Sequence, residues 1–263
     1  MAFRGEFNPP NIDYEIFPQD FWLTGFAWNI FAVDRLMLIR ILMTVILVGF
    51  FMYAMRNPKL VPRGVQNVAE VFLDFVRIYI AQDILGKEQG RRFLPIIATI
   101  FFAVLAMNLP TIIPFLNISP NARIGMPIVL AALGYLTFIY AGSRRYGFFK
   151  WVKSSVVIPG IHPALHILLV PIEFISTFIL RPVTLTIRLM ANMLAGHLIL
   201  VLLFSATNFF FWQMNGWTLL SAGTSLLSVA YTLFKVLILF LQAYIFALLV
   251  AVYIDLALHA DSH

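Results

Sequence analysis

An uncharged run in the C-terminal half decides the fold. Residues 189–234 read LMANMLAGHLILVLLFSATNFFFWQMNGWTLLSAGTSLLSVAYTLF, without a lysine, arginine, aspartate or glutamate. Only 208–217 resembles a turn, so we predict one helix within about 165–211, starting near Leu165 or Pro182, and another over about 218–258. Helices of roughly 30–40 residues are about 45–60 Å long. That exceeds the hydrocarbon thickness of about 30 Å, so we expect both helices to be strongly tilted.

The composition of the whole chain indicates a membrane protein. Of 263 residues, 61% are hydrophobic and 11% charged, and the mean hydropathy is +0.90. A soluble domain has about 45–50% apolar and about 25% charged residues. An ordinary soluble enzyme and a disordered chain are therefore both excluded. The chain has no cysteine, which excludes disulfides and thiolate metal sites.

Three further apolar runs predict membrane spans at about 35–55, 93–115 and 126–143. Between the first two, valines and aromatic residues recur at helical spacing within a mixed-charge segment, which predicts an amphipathic helix on the membrane surface over about 64–84. The predicted fold class is an all-α polytopic membrane protein with about five spans plus this helix. Residues 1–34 form an acidic segment, and 35–263 form the membrane domain.

The distribution of basic residues predicts the orientation in the membrane. The segments 56–92 and 144–153 are rich in lysine and arginine, whereas the turns 116–125 and 208–217 hold one arginine between them. The basic side is expected to be cytoplasmic, so the N-terminus lies outside and the C-terminus inside. No basic segment precedes the first apolar run, and we expect no cleavable signal peptide. The high pI of about 9.7 thus indicates orientation in a plasma membrane rather than nucleic-acid binding.

Arg188 lies within an apolar run, where an arginine costs at least about 2.5–3.5 kcal/mol. Because arginine is effectively never deprotonated, it needs an anionic partner or water. The candidate carboxylates in the C-terminal half are Glu173, Asp255 and Asp261. Either Arg188 forms a structural ion pair with Glu173, or its partner carboxylate belongs to another subunit.

Helical geometry favours a partner on another subunit. Arg188, Ala191, Asn192 and Ala195 share one face of a helix, and small residues allow another helix to approach closely. His197 lies nine residues after Arg188 and therefore almost opposite. We interpret His197 as a candidate proton relay, although a single membrane histidine is often only hydrogen-bonded.

Lys235 and Gln242 are seven residues apart and share a face of the last helix. A glutamine in a membrane helix commonly forms a hydrogen bond to a neighbouring helix. A lysine in the outer half of the helix can extend its amine to the membrane surface.

Two motifs on the last two helices resemble the subunit a family of F-type ATP synthases. They are Arg188-Leu-Met-Ala-Asn-Met-Leu-Ala-Gly-His197 and Leu241-Gln-Ala-Tyr-Ile-Phe246. Supporting segments are Pro171-Ile-Glu173-Phe-Ile-Ser176, Arg181-Pro182 and Met107-Asn108-Leu-Pro110 with Pro114. The resemblance extends from about residue 36 to the end of the chain, and its form suggests a bacterial protein.

The resemblance implies a non-catalytic, proton-conducting stator of the Fo motor. Its partners would be a ring of c subunits, b-type peripheral-stalk subunits and the rest of F1Fo. A carboxyl group of the ring keeps its proton in lipid and releases it beside Arg188. Two half-channels, one open to each side, would then force each proton to travel with the ring. Each charge moved through 100 mV supplies about 2.3 kcal/mol for rotation.

By family position, Asn192, His197 and Gln242 line the outer half-channel, and Glu173, Ser176 and Arg181 lie beside the inner one. Glu173 is either a proton-release group or a plain interfacial carboxylate. Many relatives pair a histidine at position 197 with a glutamate at position 235, where this chain has Lys235. Either the outer path then uses water and polar groups, or Lys235 turns elsewhere. The polar groups in question are Asn108, Thr111 and Asn117.

Three other functions are less consistent with the sequence. A haem protein needs pairs of axial histidines within apolar spans, but His162 and His166 flank a proline at a basic junction. A secondary transporter usually shows internal repeats or broken helices at matched positions. A structural assembly subunit of another energy-transducing complex would not need Arg188. The chain carries no nucleotide-binding loop, and we expect it to bind no ATP, cofactor, metal or nucleic acid.

Overall fold

The computed structural model describes residues 35–113, 116, 118–156, 163–213 and 218–259. The predictions for the acidic segment 1–34, for Asn117, and for the side chains of His162 and His166 lie outside the described residues. All regular elements of the described residues are helices.

Eight α-helices follow one another along the described chain. They are α1 (Arg35–Ala54), α2 (Val65–Val76), α3 (Asp83–Asn108), α4 (Gly125–Tyr146), α5 (Phe148–Val156), α6 (Pro163–Ile175), α7 (Arg181–Trp212) and α8 (Thr218–Leu258). π-Helical turns at Arg77–Gln82 and Ser176–Leu180 join α2 to α3 and α6 to α7. Short 3₁₀ turns at Leu109–Thr111 and Pro120–Ala122 lie between α3 and α4.

Within the described residues, five helical stretches are long and apolar enough to cross a membrane. They are Arg35–Ala54, Val65–Thr111, Gly125–Tyr146, Leu168–Trp212 and Thr218–Leu258. The predicted fold class, an all-α polytopic membrane protein, is confirmed. The last two helices, α7 and α8, have 32 and 41 residues, which corresponds to roughly 48 and 62 Å.

Gly86 lies near the start of α3, between the predicted amphipathic helix at 64–84 and the predicted span at 93–115. Its φ of 74° and ψ of 174° interrupt the helical conformation inside α3. Glycine adopts a positive φ without steric cost. The chain is thus helical on both sides of Gly86, and helix α3 begins about ten residues before the predicted span at 93–115.

The basic segment 144–153 is helical on both sides of Gly147. Residues Phe148–Val156 form α5, and its Trp151 is fully buried. The indole occupies the space left by Gly142 on α4 and makes edge contacts with Phe138 and Phe178 at centroid distances of 5.1 and 5.8 Å. An aromatic side chain buries a large apolar area, and this burial holds the short helix in place.

The chain divides into two compact units, each built from separate stretches. The first comprises Met1–Val45, Leu105–Arg123 and Met190–Leu241. Its core includes Ala122, Met193 and Leu239, with Ile112 packed against them.

The second unit comprises Ile46–Val104, Ile124–Leu189 and Gln242–His263. Phe75 lies at its aromatic core, with ring centroids 6.0 Å from Phe101 and 5.9 Å from Tyr244. Gly134 on α4 packs against Val250 on α8, where an added Cβ would lie 2.7 Å from a valine methyl carbon. A small residue is thus required where these two helices approach.

Candidate functional site

Helix α7 has a buried face and an exposed face at the position of the sequence motif. Leu185, Leu189 and Met193 are 3%, 0% and 1% exposed. Arg188, Ala191, Asn192 and Ala195 are exposed, as is Ile187 just before the arginine. On the C-terminal side of the arginine, this exposed face therefore consists of small and polar side chains that the described part of the chain leaves uncovered.

Arg188 forms no salt bridge or hydrogen bond with any described residue. The alternative of a structural ion pair with Glu173 is therefore wrong. Glu173 lies fifteen residues earlier in the same continuous helical stretch, so the two residues are separated by roughly 20 Å along the helix axis. Any carboxylate that pairs with Arg188 has to come from elsewhere.

Glu173 instead lies within electrostatic range of Arg181. The Arg181 guanidinium is half-buried and lies over the rings of Tyr253 and Phe138, at 5.4 and 5.9 Å from their centroids. Ser176, also half-buried, begins the π-helical turn that ends at Leu180. Such turns are frequent at functional sites, because they rotate the following side chains relative to a regular α-helix.

Helix α8 carries a line of buried polar side chains spaced seven residues apart. Ser221, Ser228, Lys235 and Gln242 are 9%, 1%, 2% and 3% exposed. A spacing of seven keeps them on one face of the helix. Two of them, Lys235 and Gln242, were identified from the sequence, whereas Ser221 and Ser228 were missed.

Within the first unit, α7 and α8 pack antiparallel with polar groups between them. The Thr207 hydroxyl donates to the Thr224 hydroxyl at 3.0 Å. Gly196 lies eleven residues before Thr207, and Lys235 lies eleven residues after Thr224. These two residues face each other, and Tyr231 lies beside them. We use the term polar seam for seven residues: Gly196, Thr207, Ser221, Thr224, Ser228, Tyr231 and Lys235.

Lys235 does not extend to the membrane surface, so the interpretation as a surface-seeking lysine is wrong. Its side chain is 2% exposed, and among the described residues its Nζ has no hydrogen-bond partner. The side chain turns towards Gly196 because a glycine there leaves room for the amine. A buried ammonium without a partner is costly unless water reaches it.

His197 is 6% exposed, whereas Arg188 on the same helix is exposed. The histidine follows Gly196, so it lies next to the polar seam in sequence. Asn192 lies on the exposed face with Arg188, and Gln242 lies on the buried face of α8.

Asn108 is completely buried in a polar network between the end of α3 and the turn before α4. Its Oδ1 accepts hydrogen bonds from Asn121 Nδ2 at 2.7 Å and from the Ser119 hydroxyl at 3.3 Å. The Thr111 hydroxyl donates to the Asn108 carbonyl at 2.8 Å. Among the described residues, Asn108 Nδ2 and Asn121 Oδ1 have no partner, so each still has the capacity for one more hydrogen bond.

The burial of Asn121 and Ser119 could not be predicted, because in the sequence both residues resemble ordinary turn residues after a proline-containing segment. Only the folding of that turn onto α3 buries them. The two missed serines of α8 did leave a signal, since they continue the seven-residue spacing of Lys235 and Gln242 towards the N-terminus. In the described part of the chain, no three His, Cys, Asp or Glu side chains cluster as metal ligands.

Comparison with known proteins identifies similar chains over almost the entire length. A family model described as ATP synthase A chain matches residues 37–255. ATP synthase subunit a of Rhodococcus erythropolis is 62% identical over 259 residues, which cover 98% of this chain and 93% of the relative. The subunit a of Pseudarthrobacter chlorophenolicus is 36% identical, covering 98% and 96%, and that of Streptomyces lividans is 38% identical, covering 88% and 81%.

Proposed function

Since this chain belongs to the ATP synthase subunit a family, the proton-translocating membrane subunit of that complex, we propose that it acts as the stator of the Fo motor. In this role it provides two half-channels, offset from each other, and one arginine that separates them. The chain performs no catalysis on ATP. Its partners are a ring of c subunits with membrane carboxylates, b-type peripheral-stalk subunits and the rest of F1Fo.

The observation that carries the proposal is the environment of Arg188. It is a permanent cation within an apolar helix of 32 residues, and it is exposed on a face of small residues. Its own chain supplies no counter-charge among the described residues. A cation in the membrane needs an anion, and a neighbouring subunit with a carboxylate at the same depth provides one.

Arg188 and a passing carboxyl group together control proton release. In lipid the carboxyl group holds its proton, because the charged form is poorly solvated there. Beside the guanidinium the charged form is favoured, and the proton leaves. The same cation repels a free proton, so protons do not leak directly from one half-channel to the other.

The polar seam supports the position of the outer half-channel. Its Thr207–Thr224 hydrogen bond lies near the turn 208–217, which is predicted to face outside. Lys235 and Gly196 lie eleven residues farther from that turn, roughly 16 Å deeper. Lys235 Nζ, which has no hydrogen-bond partner among the described residues, can donate a hydrogen bond to water at this depth. Asn108, Asn192, His197 and Gln242 supply further polar groups to this path.

Lys235 acts in this path by holding water rather than by relaying protons as a carboxylate would. Its amine and the Tyr231 hydroxyl lie within 4 Å of the same point beside Gly196. Water bound between them connects the hydroxyl groups of α8 with the region of His197. His197 then transfers protons, since imidazole can both accept and donate one.

The group around Arg181 supports the position of the inner half-channel. Glu173, Ser176 and Arg181 lie near the start of the long apolar stretch, at the end expected to face the cytoplasm. Glu173 accepts the proton that leaves the ring and passes it to cytoplasmic water. Arg181, held over Tyr253 and Phe138, places a positive charge within electrostatic range of this carboxylate.

The driving force follows from the offset of the two paths. A proton that enters outside has to cross on the ring before it reaches the inner path. Each charge moved through 100 mV contributes about 2.3 kcal/mol. We expect the complex to lie in the plasma membrane, with the N-terminus of this chain outside and the C-terminus in the cytoplasm.

The decisive experiment is the Arg188→Ala variant in the assembled complex, in inverted membrane vesicles. Both ATP synthesis and ATP-driven proton pumping should be lost, while the amount of F1 bound to the membrane stays unchanged. Arg91→Ala, which removes an exposed arginine elsewhere, is the matched control and should retain both activities. Normal coupling in an assembled Arg188→Ala complex would refute the proposal. Arg188→Gln, which preserves more of the side chain, is measured in the same way if the alanine variant assembles poorly.

A further inference from the structure

A pocket lined by three arginines lies at the basic end of α3 and α4, inside the second unit. Its volume is about 280 Å³, and its lining includes Arg92, Arg144 and Arg145 together with Gln89, Tyr140 and Leu258. None of its lining residues is an aspartate or glutamate. The pocket therefore holds three positive charges and no negative charge around one small cavity.

The three guanidinium groups are supported by aromatic rings rather than by carboxylates. Arg144 lies 5.9 Å from the centroid of Tyr140 and donates to its hydroxyl at 3.2 Å. Arg145 and Arg92 lie 5.5 and 5.8 Å from the centroids of Tyr146 and Phe93. Within the described part of the chain, none of the three takes part in a salt bridge. Their charge is thus available to an external anion.

A hydrogen bond joins two helix ends beside the pocket. The Tyr146 hydroxyl donates to the carbonyl of Leu258 at 2.8 Å, which ties the end of α4 to the end of α8. Leu258 is 5% exposed and lines the pocket. This bond keeps the end of α4, which carries Arg144 and Arg145, beside Leu258.

An apolar strip on α4 leads directly to the arginines. Leu133, Leu136 and Tyr140 are 39%, 64% and 50% exposed, and their spacing places them on one helix face with Arg144. α4 is one of the helices long and apolar enough to cross a membrane. Exposed leucines on such a helix contact acyl chains, and a tyrosine lies at the level where acyl chains meet headgroups.

We propose that this pocket binds the phosphate headgroup of one anionic phospholipid, whose acyl chains lie along Leu133 and Leu136. Arginine pairs with phosphate through two parallel hydrogen bonds, which a lysine cannot form. Basic pockets between membrane helices are suited to anionic headgroups. A free phosphate ion would use the arginines but not the apolar strip, and an acidic protein segment would not need exposed leucines beside the charge.

The site does not depend on Arg188 or on the half-channels. The bound lipid would join the ends of α3 and α4 and strengthen the second unit. Its loss should therefore lower the thermal stability of the assembled complex and leave the chemistry of proton transfer unchanged.

The test uses the assembled complex, purified in mild detergent and depleted of lipid. Dioleoyl phosphatidylglycerol, dioleoyl phosphatidylcholine and inorganic phosphate are added separately, and thermal unfolding is measured. We expect phosphatidylglycerol to raise the unfolding temperature, and phosphatidylcholine and inorganic phosphate to have little effect. Stabilisation by inorganic phosphate equal to that by phosphatidylglycerol would mean that the site takes a free anion, and would overturn the proposal.

Two triple variants test whether phosphatidylglycerol binds at the arginine pocket. The pocket variant carries Arg92→Gln, Arg144→Gln and Arg145→Gln, and the control variant carries Lys87→Gln, Arg91→Gln and Lys150→Gln. Both lose three positive charges from the same basic side, but only the first changes the pocket. We expect the pocket variant to bind phosphatidylglycerol at least about tenfold more weakly, and the control to keep the wild-type affinity.

Equal phosphatidylglycerol binding by the two triple variants would overturn the proposal. So would a pocket variant that keeps its lipid but loses another subunit of the complex, since the occupant would then be a protein segment. If the triple variant does not assemble, Arg144→Gln alone is measured, because this residue is exposed in the last turn of α4. A smaller loss of affinity in the same direction is expected, and unchanged affinity would contradict the proposal.

Discussion

Gly196 on α7 provides the space that Lys235 on α8 occupies. A Cβ atom added at Gly196 would lie 3.4 Å from Lys235 Cε and 3.9 Å from its Nζ. The amine of Lys235 therefore lies against this glycine within the polar seam. The side chain of Lys235 is accommodated inside the first unit and does not extend to the surface.

Replacing Gly196 tests whether this space is needed for proton conduction. Gly196→Ala should be nearly neutral, because its Cβ meets Lys235 at ordinary van der Waals distance. Gly196→Leu should displace the amine, reduce passive proton flux through Fo, and destabilise the complex by about 1–3 kcal/mol through overpacking. Flux is measured in vesicles stripped of F1. If an assembled Gly196→Leu complex conducts protons at the wild-type rate, proton conduction does not require the amine of Lys235 at this position.

Lys235→Met separates the effect of the buried amine on the stability of the complex from its effect on proton flux. Methionine fills a similar volume without a charge, so we expect thermal stability to rise, by about 1–4 kcal/mol. We also expect proton flux to fall, since the seam loses a group that binds water. Lys150→Met, at an exposed position of α5, should change neither quantity. An increase in stability with unchanged flux would leave Lys235 as a structural residue only.

His197→Ala should slow proton uptake from the outer side without preventing assembly. The imidazole of His197 is buried and can carry a proton, whereas the methyl group of alanine cannot. Initial rates of proton flux are measured at several outside pH values, with Gly223→Ala as the control. Gly223 is exposed on α8, with no atom within 4 Å of an added Cβ. If His197→Ala and the control conduct at the same rate, His197 serves packing alone.

Asn121→Ala should weaken the network around Asn108. The substitution removes the shorter of the two hydrogen bonds to Asn108 Oδ1, at 2.7 Å, and loss of a buried hydrogen bond costs about 1–3 kcal/mol. Thermal unfolding of the complex is the measurement. Thr99→Ala is the control, since it removes a hydroxyl that bonds only to its own helix at Pro95. A similar small effect of both substitutions would indicate that water replaces the lost amide.

Much of the site could be predicted from helical geometry alone. A helical period of 3.6 residues places Arg188 and Asn192 on one face of α7 and His197 on the opposite, buried face. This period holds because α7 is one continuous helix. The surroundings of Lys235 could not be predicted in this way. Its position depends on which residue of another helix lies opposite, and the sequence of α8 holds no information about that.

The sequence by itself determined the number and length of the apolar helices, their expected orientation, and the motifs that identify the family. These properties are local: they follow from hydropathy, charge and periodicity along one segment. Only the tertiary structure decided that Asn121 reaches Asn108, that Lys235 is buried beside Gly196, and that three arginines from two helices line one pocket. Each of these depends on the packing of segments distant in sequence, where a change in helix register of one residue would turn a side chain by about 100°.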